Sequence, residues 1–155
     1  MNPLMVSTLT EAVPGLLRCC RDPWAIIGSA AASLAGAAVS VADVDVLTSA
    51  ADASRLAGHW YARREQTYEP VGAERFRSHF GRYRFDGLPL EVMGNLELFD
   101  GSAWQPVLTR ACVRVACGAV QVLIPTVPEQ IRILESFARP KDFERAARLR
   151  ALSDA

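Results

Sequence analysis

The chain has 155 residues, half of them apolar, and its 17 basic side chains are matched by 17 acidic ones, giving a formal net charge of zero. That length suits one domain with a real core, and the apolar content excludes a disordered chain. The charge balance excludes a protein that coats nucleic acid by bulk electrostatics, because counterion release needs an excess of basic groups.

Residues 3–20 carry leucine, valine and cysteine at helical spacing, with Pro14-Gly15 as a point where the helix breaks or restarts. Asp22-Pro23 punctuates the chain. Trp24-Ala25-Ile26-Ile27 then reads as a short buried strand ending at Gly28. Residues 29–37 are rich in alanine and predict a helix, with Ser29 as its cap and Gly36 as its stop. Residues 39–47 predict a strand: Val41, Val44 and Val46 are β-branched, while Asp43 and Asp45, two apart, point to one face.

A helix is expected over 49–64, with Ala53, Leu56 and Trp60 inward, followed by a polar, irregular segment at 65–76. Strands are expected at 83–85, 88–93, 96–99 and 112–116. Asp86-Gly87 predicts a two-residue hairpin turn, and Cys117-Gly118 a second turn leading into 120–123. Thr126 with Glu129 three residues later predicts a capping box, with Pro128 in the first turn, and a last helix is expected from Pro140 over 141–152. The whole reads as one α/β (α+β) domain over 1–155: a mixed β-sheet with flanking helices, its core at 24–124 and a C-terminal helical pair at 126–152.

Residues 23–42 carry no charge, but they are mostly alanine, serine and glycine and lie too far from Met1 for an ordinary secretory signal. Cys19, Cys20, Cys112 and Cys117 show no C-x-x-C spacing and only two histidines accompany them, so reduced, mostly buried thiols and a cytoplasmic location are expected. The basic residues of 132–150 alternate with acids and read as a solvated helical face.

The chemistry concentrates in Ile26-Ile27-Gly28-Ser29, thirteen intervening residues and Asp43-Val44-Asp45-Val46-Leu47. A strand running into Gly-Ser and a helix leaves N–H groups and a hydroxyl for an anion, and a second strand adds two carboxylates of the kind Mg²⁺ favours. The alternative reading is a plain helix cap beside two solvated acids at a strand rim. In this order the motif resembles that of the nucleotidyltransferase superfamily, the polymerase-β-like fold, with Leu90-Glu91-Val92 matching the third acid of that family. Arg139-Pro140-Lys141-Asp142 before an Arg/Leu-rich helix is similar to the close of small bacterial single-domain members.

The resemblance implies that Asp43, Asp45 and Glu91 are catalytic and hold Mg²⁺ or Mn²⁺. It implies that Gly28, Ser29 and Lys141 bind the phosphates of ATP or another nucleoside triphosphate, whose monophosphate passes to an unidentified hydroxyl acceptor. Glu91 as an ordinary strand residue and Lys141 and Asp142 as first-turn surface groups are the competing readings, and Glu97, past Gly94-Asn95 on another strand, is the rival third acid. Two further classes stand beside the enzyme. One is a degenerate member that binds a nucleotide or a helical protein partner, as in a toxin–antitoxin-like module; the other is Asp-x-Asp glycosyl transfer. Strand-rich 88–123 offers an edge through which a homodimer could pair.

Overall fold

A computed structural model describes residues 1–153. The element order is α1 (Pro3–Cys19), β1 (Ala25–Ile27), α2 (Gly28–Leu34), β2 (Val44–Thr48), α3 (Ala50–His59), a 3₁₀ turn (Tyr61–Arg63), β3 (Phe76–Tyr83), β4 (Leu90–Phe99), β5 (Trp104–Pro106), β6 (Cys112–Cys117), β7 (Val120–Pro125), α4 (Val127–Phe137) and α5 (Pro140–Ser153). The main sheet runs β1-β2-β4-β3, with β5 on the far end of β4, while β6 and β7 form a separate hairpin. Among the described residues only β2 and β4 pair in parallel; every other pairing is antiparallel. This is the mixed α/β architecture expected from the sequence.

Alternation along the strands divides the sheet into two faces. Val44, Val46, Leu90 and Val92 point to the main core, where they meet Met5, Leu9 and Leu16 of α1 and Leu56 of α3. Leu47 and Ile27 point the other way and join Leu96, Leu98, Ile133 and Phe137, so α4 covers that face. Alanines of α2 let α4 and α5 pack closely, through Ala32, Leu134, Ala146 and Leu149.

Several local expectations yield to tertiary contacts. Helix α1 runs unbroken through Pro14, because Met5, Leu9, Ala12, Val13 and Leu16 bury one continuous stripe and Gly15 lets the Trp60 ring lie against the helix. A Cβ at Gly15 would stand 2.9 Å from that ring. Ser29 is a buried residue inside α2 and Ile27 occupies the cap position, with no side-chain cap bond. The Asp86-Gly87 turn is part of a longer connection, 84–89, since β3 ends at Tyr83 and Leu88 is held by Thr8, which accepts from its N–H and donates to its carbonyl.

Residues 88–93 and 96–99 belong to one strand, which passes through Gly94 and Asn95 with Asn95 in the left-handed region. Glu97 therefore lies on the same strand as Glu91 and pairs with Arg77 at 2.8 Å. Thr126 makes no cap bond. Glu129 instead binds Arg132 and accepts from the Arg110 N–H, and the Arg132 hydrogen bond in particular holds its carboxyl down at about 2. All four thiols are free, but only Cys117 is buried. Among the described residues no helix is long and apolar enough to cross a membrane; the uncharged stretch is divided between β1, α2 and an irregular segment.

Asp52 joins the start of α3 to the chain leaving α1. Its fully buried carboxylate accepts from the backbone N–H groups of Arg21 (2.9 Å) and Asp22 (3.0 Å), from Thr48 Oγ1 (2.9 Å) and from Arg55. Burial opposes ionisation, but the bonds from Arg21, Arg55, Thr48 and Asp22 outweigh it and hold the carboxyl below its ordinary range. A lowered folded-state pKa contributes stability above the unfolded pKa and loses it as pH falls through the folded value. Asp52→Asn is expected to cost about 1–3 kcal/mol at pH 7 in urea unfolding, the cost of leaving buried donors unpaired. The gap between variant and wild type should narrow as the pH is lowered below the ordinary carboxylate range.

Candidate active site

Strand register assembles the site. Asp45 is the direct partner of Glu91 across the parallel β2–β4 pair, and Glu91 is the partner of Arg82 across the antiparallel β4–β3 pair. On the other side Asp45 is opposite Ile27, the residue before Gly28. A single row across four strands therefore reads Ile27, Asp45, Glu91, Arg82, with all side chains on one sheet face. Asp43 sits just ahead of β2, two residues before Asp45, and faces the same way. Asp43, Asp45 and Glu91 each offer a carboxylate oxygen, and the three oxygens lie within 4.8 Å of one another.

Such crowding has an electrostatic consequence. Burial, then the neighbouring charges of Asp43 and Glu91, push the Asp45 carboxyl well above its ordinary value, with Arg145 pulling the other way. Three acids in this arrangement call for cations. One is supplied by Arg82, whose Nη1 lies 2.9 Å from Glu91 Oε2 and 3.7 Å from Asp43 Oδ2, and whose Nε donates to Glu65 at 3.1 Å. Its guanidinium also lies over the Tyr68 ring, 4.5 Å from the centroid. Burial and then the charge of Glu91 raise the pKa of the Tyr68 phenol.

Gly28 is shaped by the same row. Its φ is +68°, and a Cβ placed on it would stand 2.8 Å from Asp45 Oδ2. The Gly-Ser step therefore lets the turn into α2 approach the carboxylate closely, in a conformation glycine adopts without strain.

These residues front a cavity of about 380 Å³ that contains Gly28, Ser29, Asp43, Asp45, Glu91 and Lys141, so every site residue expected from the sequence meets in one place. Beside the acid row the same sheet face turns apolar and aromatic through Phe76, Phe80, Met93 and Leu96, and Phe137 of α4 with Tyr68 and Val71 from the segment between the 3₁₀ turn and β3 completes the lining. Arg139 and Arg145 line it as well, so the basic residues of α5 are not all a solvated face. Asp142, expected at the surface, is fully buried and takes the Arg139 N–H (3.2 Å), Nε (2.6 Å) and Nη2 (3.1 Å). That pairing closes the first turn of α5 and holds Arg139 over the rings of Phe76 and Phe137.

Sequence reasoning missed Arg82, Tyr68 and the aromatic wall. The alternation of Phe76, Ser78, Phe80 and Arg82 was the signal for β3, but the polar residues between them obscured it.

No family model and no curated protein matches the sequence. Solved structures that are similar include the following two. A candidate nucleotidyltransferase from Thermotoga maritima superposes with a TM-score of 0.74 at 19% identity, over 99% of this chain and 96% of that one. An antigenic nucleotidyltransferase-like protein from Paracoccidioides brasiliensis superposes with a TM-score of 0.59 at 16% identity, over 98% of this chain and 78% of that one. The chain has the nucleotidyltransferase-like fold.

Gly28→Ala should destabilise the chain by about 1–3 kcal/mol in urea unfolding, from the positive φ and from the contact with Asp45. In the Gly28→Ala/Asp45→Ala double variant the contact is gone while the backbone strain remains. The two changes should therefore be non-additive, with a coupling of at least about 0.5 kcal/mol. Simple additivity would show that the carboxylate is not what requires glycine at this position.

Proposed function

We propose that this chain transfers a nucleoside monophosphate from a nucleoside triphosphate to a hydroxyl acceptor, with Mg²⁺ or Mn²⁺ as its resident cation. The observation that carries the reading is the β2–β4 register, which places Asp45 opposite Glu91, beside Asp43, in a nucleotidyltransferase-like fold. Carboxylates alone, with no histidine or thiol among them, are a hard donor set that fits such a cation. Asp43, Asp45 and Glu91 would hold it, and when bound it neutralises phosphate charge and polarises a phosphoryl oxygen.

The chain's own residues account for the rest of the reading. Gly28 and Ser29, where β1 turns into α2, bind phosphate oxygens through N–H groups and the hydroxyl. Lys141 and Arg145 offset the remaining triphosphate charge from α5. The aromatic wall excludes water and gives a flat ring a surface to lie against. The acceptor oxygen forms its bond to the α-phosphorus as the bond to pyrophosphate breaks, and its proton passes to Glu91, the acid of the row nearest Tyr68. Holding the reactants in line and balancing charge supply most of the acceleration in this chemistry.

Calorimetric titration of ATP, GTP, CTP and UTP with Mg²⁺ tests the reading on wild type and on the Asp43→Asn/Asp45→Asn double variant. Wild type should bind at least one triphosphate only when Mg²⁺ is present, and the double variant should lose that binding. Nucleotide-dependent pyrophosphate release, once an acceptor is found, should fall by roughly 10²–10³-fold or more in either single variant. Triphosphate binding indifferent to Mg²⁺ and to both aspartates would overturn the assignment.

A further inference from the structure

Arg82 makes two sets of contacts at once. Through Nη1 it holds Glu91 at 2.9 Å and reaches Asp43 at 3.7 Å, which are two of the three carboxylates in the row. Through Nε it holds Glu65 at 3.1 Å, and through its face it holds the Tyr68 ring at 4.5 Å. Glu65 and Tyr68 both belong to the segment between the 3₁₀ turn and β3, and Tyr68, Pro70, Val71 and Ala73 of that segment form one side of the cavity. One planar guanidinium thus joins the acid row to the wall that covers it, a geometry a lysine ammonium cannot reproduce.

A cation bound by Asp43, Asp45 and Glu91 draws on the same two carboxylates as Arg82. Like charges a few ångströms apart in a partly dry site repel strongly, so the two cations cannot both be held at full strength. As Arg82 yields Glu91 and Asp43, its hold on Glu65 and its stack on Tyr68 loosen too, because the fork is rigid and its contacts share one orientation.

We propose that Arg82 is a positioning residue of this site: an internal counter-ion that lowers the affinity of the acid row for a divalent cation and couples cation entry to release of segment 64–75. The inference rests on the reading of the acid row as a cation site. It adds to that reading the residue that sets the affinity and the segment that responds.

The test uses Mn²⁺ alone, without nucleotide, by calorimetry on wild type, Arg82→Gln and Arg82→Lys, together with hydrogen exchange of amides 65–75. Arg82→Gln removes the competing charge and should bind Mn²⁺ about tenfold more tightly or better. Arg82→Lys keeps the charge and should stay within about threefold of wild type, yet it loses the fork and the stack. Saturating Mn²⁺ should speed exchange of amides 65–75 in wild type, whereas in both variants those amides should already exchange fast without metal. The wild-type exchange comparison needs no variant, so it decides the coupling even where Arg82→Gln fails to fold. Equal Mn²⁺ affinity in wild type and Arg82→Gln overturns the counter-ion role, and exchange unmoved by Mn²⁺ in wild type overturns the coupling. Failure of both folded chains to bind Mn²⁺ overturns the cation reading itself and this inference with it.

Discussion

Parallel pairing of β2 with β4 brings Asp45 and Glu91 side by side on a half-buried face, and most of the molecule can be understood as accommodating that juxtaposition. Two carboxylates at adjacent strand positions repel, and Asp43 adds a third. A sheet tolerates this only where the opposite face is strongly favourable. Here Val44, Val46, Leu90 and Val92, which alternate with the acids, are all essentially buried against α1 and α3. At about 25 cal/mol per Å² of apolar area, burial of four such side chains contributes on the order of several kcal/mol and fixes the register. A slip of one residue would turn the acids into the core and the valines into the cavity. The stability of one face thus enforces the charge density of the other.

The cations follow from the same constraint. Arg82 answers Glu91 from the adjacent strand, while Arg139 and Arg145 enter the cavity on or beside α5. Their placement depends on Asp142, whose buried carboxylate ties Arg139 to the first turn of that helix. Asp142 is therefore an organiser of the basic wall, in contrast to Asp45, which belongs to the acid row. Chemically identical side chains have separated by partner: Asp142 and Asp52 are saturated with donors, and Asp45 is pressed against other acids. That contrast marks Asp45 as the unusual carboxylate, since structural acids are paired and perturbed, underpaired ones cluster at sites of chemistry.

How much of this could be read from the sequence depends on the range of the interaction involved. Asp43 and Asp45 were readable because a period of two is a local property of one strand, and Glu91 because an acid between leucine and valine on a strand is local too. Gly28 was readable as a turn, but its contact with Asp45 is a distance between two strands and leaves no trace in either segment alone. Arg82 was missed for the same reason: its meaning lies in its register opposite Glu91, across the connection 84–89 and a reversal of the chain. The β3 strand itself was obscured because Arg77 and His79 alternate with Phe76, Ser78 and Phe80, and a register shift falls between Arg77 and His79. Where local rules failed elsewhere, a distant partner had intervened: Trp60 beneath Gly15 keeps α1 whole past Pro14, and Arg132 takes Glu129 away from the cap of α4.

Neutral net charge and a strongly polarised cavity are compatible because the separation is one of place. The acid row lies on the sheet, Phe76, Phe80 and Met93 extend the same sheet face beside it, and Arg139, Lys141 and Arg145 enter the cavity from α5 and the residue before it. Charge counted over the whole chain erases that pattern, since 17 positives cancel 17 negatives. The pattern survives in the strand register, which gathers the acids, and in buried Asp142, which ties Arg139 to the start of α5. A polymer-binding surface would need its basic groups spread over an exposed face. Here Arg139 and Arg145 are half-buried in the cavity that holds the three acids, so its charges offset one another locally and build no continuous basic face there.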